Sequence, residues 1–128
     1  MSMSTQFGQT VDQYVERLRE FAEGEYLRPE ERERWDQPFD PVVLPDSRRI
    51  LLQLVAQLDE APRPASTADL EPIFRAAVAR LQDFNEAHAS AVLEPEEYAE
   101  LNELFARMAK ACGMADEELG ELPQLEGR

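Results

Sequence analysis

The sequence predicts an all-α fold: a single-domain bundle of four main helices, with short helical pieces and a proline-rich connecting strap. Three observations predict it. Apolar residues recur three and four apart through four long stretches. No stretch alternates apolar and polar residues as a half-buried strand would. There are only five glycines, and most of the nine prolines fall between the periodic stretches.

The first helix is expected over residues 10–23. Val11, Tyr14, Val15, Leu18, Phe21 and Ala22 form its stripe. Thr10 and Gln13 have capping-box spacing, and Gly24 is a natural stop. Residues 1–9 are expected to be a flexible N-terminus. Residues 29–35 read as a short helix with proline at its first position. Pro38, Pro41 and Pro45 then forbid a continuous helix or a central strand. The second long helix is expected from an Asp46 cap to about residue 61. Ile50, Leu51, Leu54, Val55 and Leu58 make its inner face and Leu52 widens it, so it should be the central helix.

Ser66 and Thr67 are candidate caps for the third helix. Pro72 complicates its start. Either the helix begins near Asp69, or residues 67–70 form a separate tight turn. Ile73, Phe74, Ala77, Leu81, Phe84 and His88 share its face. The fourth helix begins near Pro95, carries Tyr98, Leu101, Phe105, Met108 and Cys112, and stops at Gly113. In the tail, residues 115–128, a short helical piece is expected at 116–119, with Leu122 and Leu125 able to fold back. The expected core is Val15, Leu18, Phe21, Leu51, Leu54, Val55, Leu58, Phe74, Leu81, Phe84, Leu101, Phe105 and Met108.

A chain of 128 residues suits one domain, 1–128. Its formal charge of −14 argues against nucleic acid and anionic membranes as partners, because phosphate contacts need a basic footprint. The single cysteine fits a reducing compartment. The start of the chain lacks the basic and apolar regions of a secretory signal. No segment reaches the ~18 apolar residues of a membrane span. The expected location is the cytoplasm. Twelve arginines against one lysine, with abundant alanine, suggest a GC-rich bacterial genome.

Catalytic constellations are missing. A di-iron bundle needs two Glu-x-x-His motifs on separate helices, and the only histidine, His88, follows Asn85. One histidine leaves no ordinary zinc site. Cys112 reads as a small core residue, since Lys110 does not share its helix face. A Mg²⁺-dependent all-α nucleotide pyrophosphohydrolase would use paired acidic segments. Here Glu20-x-x-Glu23 and Glu33-x-x-Asp36 are split by Gly24 and Pro29, and such spacings arise easily among 27 acids. The sequence calls for no cofactor and no metal.

Two features point toward a protein partner. Asp12, Glu16, Glu20 and Glu23 oppose the stripe of the first helix, and Glu96, Glu100 and Glu103 oppose that of the fourth. Such faces serve either solubility or a basic partner. Glu103 and Arg107 are spaced for a helical ion pair. Trp35 and Phe39 lie in the proline-rich stretch, which is either a strap packed across the bundle or an exposed docking loop.

The stretch from Phe39 to about Met114 resembles a family of small, uncharacterised bacterial all-helical proteins. The resemblance rests on Phe39-x-Pro41-x-x-Leu44-x-Asp46, then Ile50-Leu51 and Leu54. It continues through Asp69-Leu70-Glu71-x-x-Phe74, Ala76-Ala77, Asp83-Phe84-Asn85 and Phe105-Ala106-x-Met108-Ala109-Lys110-Ala111-x-Gly113. It implies an all-α fold and carries over no catalytic residue. The expected function is a non-enzymatic protein-binding module with an acidic surface, of immunity or inhibitor type. The alternatives are the nucleotide hydrolase and a structural homodimer joined through spare apolar surface on the second long helix.

Overall fold

The computed structural model describes residues 3–24, 27–32, 37, 39–88 and 90–125. These form five α-helices: α1 (Met3–Glu23), α2 (Pro29–Arg32), α3 (Leu44–Asp59), α4 (Thr67–Ala87) and α5 (Pro95–Ala111). Short 3₁₀ segments lie at Pro41–Val43 and Asp116–Glu121, and the described residues contain no strand. The all-α class is as the sequence predicts. α3 packs against both α1 and α4, which its broad apolar face foretold.

α1 begins seven residues before Thr10. Met3 and Phe7 are buried and extend the stripe through Val11, Tyr14, Leu18 and Ala22. Residues 3–9 are therefore helix with a buried face, and Thr10 and Gln13 lie inside the helix rather than capping it. Longer α1 also moves the line of burial. Val15 falls to its half-buried edge, and Phe21 is 36% exposed, so Phe21 is not a core residue. The backbone N–H of Met3 donates to the Asp59 carboxylate at the far end of α3. An acid there satisfies an unpaired donor and complements the positive helix end. Gly24, at φ 68°, terminates α1 as expected.

In the proline-rich stretch, Phe39 is buried and Gln37 donates to the Ala22 carbonyl at 3.0 Å. These contacts hold Gln37 and Phe39 against the bundle, while Val42 in the same stretch is 74% exposed. Trp35, Glu33 and Asp36 lie outside the described residues. Asp40 caps the 3₁₀ turn by accepting from the Val42 N–H at 3.0 Å. α3 follows at once, with Pro45 in its first turn, where a missing N–H costs nothing. Asp46 is thus inside the first turn and pairs with Arg49 at 3.1 Å instead of capping.

α4 runs unbroken from Thr67 through Pro72, unlike either expected arrangement. The Ser66–Asp69 capping box fixes the first turn: the Ser66 N–H donates to Asp69 at 3.0 Å, and the Asp69 N–H to Ser66 Oγ at 3.3 Å. Pro72 cannot bond the Ala68 carbonyl, but both residues are exposed, so water can. Gly113 ends α5 at φ 89°, and a Cβ there would sit 3.0 Å from Pro64. That close approach lets the Ala65 N–H reach the Cys112 carbonyl at 2.9 Å.

Two asparagines fasten the irregular segments. Asn85, 1% exposed, donates to the Leu93 carbonyl (2.8 Å) and the Tyr98 hydroxyl (2.9 Å). Its Oδ1 accepts from the N–H groups of Val92 (3.2 Å) and Leu93 (2.8 Å). Asn102 on α5 clasps Leu125 the same way, donating at 2.9 Å and accepting at 2.8 Å. Leu122 and Leu125 are buried, so the tail folds back onto the body.

Candidate functional site: a groove between α1 and α5

α1 and α5 meet sparingly, and a groove of about 950 Å³ opens between them. Asp12, Glu16, Glu100 and Glu103 line it, opposed by Arg17 and Arg107, with Thr10, Gln13, Tyr14 and Leu104. Acids from two distant stretches of sequence thus share one concavity. A smaller pocket of about 150 Å³ adjoins it, lined by Leu18, Phe21, Glu94, Glu96 and Glu97. Tyr14, Arg17 and Glu100 border both. Arg17 on α1 pairs with Glu100 on α5, so this ion pair is a bar dividing the trough in two.

The predicted site residues divide accordingly. Asp12, Glu16, Glu100 and Glu103 come together, and Glu96 lies in the adjoining pocket. Glu20 and Glu23 point elsewhere, and Glu23 pairs with Arg19. Phe39 is enclosed in the core and Trp35 is outside the described residues. Asp12 is held by Arg48 at 2.7 Å. The Arg19 guanidinium bonds to Glu16 and holds its carboxyl below the usual carboxylate range. The expected Glu103–Arg107 pair does not form; the Arg107 guanidinium lies 5.9 Å from the Phe7 ring centroid. Burial of Phe7 in the extended α1, unseen in the sequence reading, creates that cation–π site.

Tyr14 is the site residue that periodicity disguised as plain core. It is 3% exposed, and its buried hydroxyl has no hydrogen-bond partner. Burial first, then the Glu97 and Glu100 carboxylates, hold that phenol protonated well above its usual range. The Arg17 guanidinium lies 5.9 Å from the ring centroid. An acid-flanked buried hydroxyl without a partner is uncommon and costly.

Burial also pushes the Glu97 carboxyl above its usual range, with Glu94 and Glu96 adding to the effect. It accepts from the Glu94 N–H at 3.1 Å at the start of α5. A raised folded-state pKa stabilises the fold below the ordinary carboxylate range and is lost as pH rises through the raised value. Glu97→Gln keeps an acceptor at this cap. It should melt above wild type at pH 7, and the gain should vanish as pH falls below the carboxylate range. Thermal melts at pH 7 and pH 3.5 check this; a lower midpoint at pH 7 would show that the charged cap outweighs burial.

Other chemistry-bearing residues are placed as structural parts. Cys112 is fully buried, and burial pushes its thiol pKa up, which suits an inert core residue. His88 ends α4 and packs edge-on against Phe84, with centroids 4.9 Å apart. Among the described residues, no three His, Cys, Asp or Glu side chains converge on a metal position, and no helix is long and apolar enough to cross a membrane. On α3, Leu51, Leu54, Val55 and Leu58 are buried, and Ile50 and Leu52 are half-buried at the edge of that face.

A scan of protein-family models and searches of curated proteins and solved structures return no match to the chain.

Proposed function

We propose that the chain is a non-enzymatic protein-binding module whose α1–α5 groove receives a basic partner. The supporting observation is that Asp12, Glu16, Glu100 and Glu103 converge on one groove whose lining includes two guanidiniums, Arg17 and Arg107, while Arg48 and Arg19 pair with Asp12 and Glu16 from outside that lining. The overall charge of −14 would steer a basic protein toward it. An immunity- or inhibitor-type role, acting in the cytoplasm of a bacterium, is the specific form proposed. A masking role of that kind needs surface complementarity and fast encounter rather than catalytic groups.

The test is association kinetics with a partner captured from the host and purified. Glu16→Lys combined with Glu103→Lys should slow association by about tenfold or more at low salt and flatten its salt dependence. Glu20→Lys with Glu117→Lys makes the same charge change outside the groove, and should have much the smaller effect. Equal effects from the two pairs would show that net charge alone acts, and that the groove is not the binding surface.

A further inference from the structure

We propose that Arg17 is an internal stand-in for an arginine of the protein partner, which displaces it from Glu100 and reaches the Tyr14 hydroxyl. This deepens the proposed function, on which it rests, by naming the group that the groove recognises.

Three observations converge. The Arg17–Glu100 pair is exposed on both sides, with side chains 60% and 41% accessible. Exposed pairs of this kind contribute about 0–1 kcal/mol, so exchanging one guanidinium for another meets little resistance. Second, Tyr14 borders both compartments, is 3% exposed, and leaves its hydroxyl unpartnered. Arg17 does not bond to it. Rooted one turn along the same helix, its guanidinium lies toward the ring and bonds to Glu100. A guanidinium arriving along the groove is not tethered to α1, and it reaches the buried hydroxyl through the space that Arg17 vacates. It has five N–H donors in a planar fork, enough for the Glu100 carboxylate and the phenol oxygen together. The phenol stays protonated and can still accept. Third, removing the bar joins the two compartments. From Thr10 to Phe21, α1 runs about 16 Å at 1.5 Å per residue, which matches four to five residues of extended chain at ~3.3–3.6 Å each. The occupant is therefore a short extended segment presenting arginine.

Lysine fits less well. Its ammonium is a compact point charge, and it lacks the planar fork that engages a carboxylate and a second acceptor at once. Among the described residues, acid elsewhere on the surface has no unpartnered buried hydroxyl beside it and offers charge alone.

The test uses the full chain and an acetylated, amidated five-residue peptide of alanines with a central arginine. Lysine and citrulline counterparts are run beside it, each titrated by NMR. Arg17→Ala should bind the arginine peptide about tenfold more tightly than wild type, because the internal competitor is gone. Arg75→Ala removes the same charge from an exposed pair with Glu71 on α4, and should change affinity by less than about threefold by long-range charge alone. In the Arg17→Ala background, Tyr14→Phe should lose about fivefold in affinity, the scale of one hydrogen bond. Its melting midpoint should be unchanged or raised, since it removes an unsatisfied buried hydroxyl. The citrulline peptide should not bind measurably, and the lysine peptide should bind several-fold more weakly.

Equal responses to Arg17→Ala and Arg75→Ala would overturn the stand-in role. So would equal binding of the lysine peptide, or no effect of Tyr14→Phe on affinity. If arginine and lysine peptides bind alike and Glu16→Lys with Glu103→Lys abolishes both, the acidic groove stands and the Arg17 proposal falls. If no basic peptide binds either wild type or Arg17→Ala, the proposal falls, and the groove's role is then decided by the kinetics with the captured partner.

Discussion

Asn85→Ala should cost about 3 kcal/mol or more, because one side chain closes four hydrogen bonds in a site that water does not reach. Truncation would orphan the N–H groups of Val92 and Leu93, the Leu93 carbonyl and the bond to Tyr98. Unsatisfied buried backbone groups cost about 1–3 kcal/mol each before relaxation admits water. Against the usual 5–15 kcal/mol for a domain, that is a large fraction. Urea unfolding should show a lower midpoint with an unchanged slope. Asn85→Asp sharpens the test. It keeps the acceptor for Val92 and Leu93 but turns a carboxylate toward the Leu93 carbonyl. Its carboxyl would be held protonated by burial, so this variant should gain stability as pH falls through its raised pKa. A loss below ~1 kcal/mol for Asn85→Ala would mean that the α4–α5 connection is held mainly by Val92 and Leu93 packing.

Asn85 also marks where the sequence stops speaking. Its position fits the third helix, yet nothing local distinguishes a clasp from a solvated helix-end amide. Its partners lie seven to thirteen residues ahead, in a connection without periodicity. Asn102 escapes for the same reason, since Leu125 lies beyond a 3₁₀ segment. Elements governed by nearest-neighbour physics were legible. Period 3.6 revealed α3 and α5, Gly24 and Gly113 revealed two helix ends, and the Leu122 and Leu125 pair revealed a returning tail. The start of α1 was missed because Gly8 and a run of small polar residues hide a stripe whose Met3 and Phe7 keep the four-residue step. The α4 start was misjudged because propensity penalises Pro72, whereas the Ser66–Asp69 box and an exposed position offset it.

The site was half legible for a related reason. Helical spacing correctly places Asp12 and Glu16 together on α1, and Glu100 and Glu103 together on α5. It cannot say that the two faces border one groove, which depends on how α5 is carried past α1 by the rest of the bundle. Tyr14 and Arg17 were invisible as site residues because their roles exist only across that gap. A tyrosine in an apolar stripe looks like any other core aromatic until its hydroxyl is found without a partner.

A ring contact between α4 and α5 makes the second large prediction. Phe74 on α4 is fully buried, and its ring lies 5.4 Å from that of Phe105 on α5, tilted by 46°. Phe74→Ala should cost about 3–5 kcal/mol, the usual range for a wholly enclosed phenylalanine. Phe84→Ala should cost less, because Phe84 is 8% exposed and one side of it faces His88 at the surface. A double-mutant cycle of Phe74→Leu with Phe105→Leu should show a coupling of about 0.5–1.5 kcal/mol from the aromatic pair itself. Local consequences follow from the architecture. α5 has only sparse contact with both α1 and α4, so weakening the Phe74–Phe105 contact should loosen the acidic wall of the groove before the closely packed α1–α3 pair. Hydrogen exchange in Phe74→Leu should therefore accelerate along α5, around Glu100 and Glu103, more than along α1 or α3. Uniform acceleration in all helices would show that the bundle opens only as a whole, and that the groove is as rigid as the core beneath it.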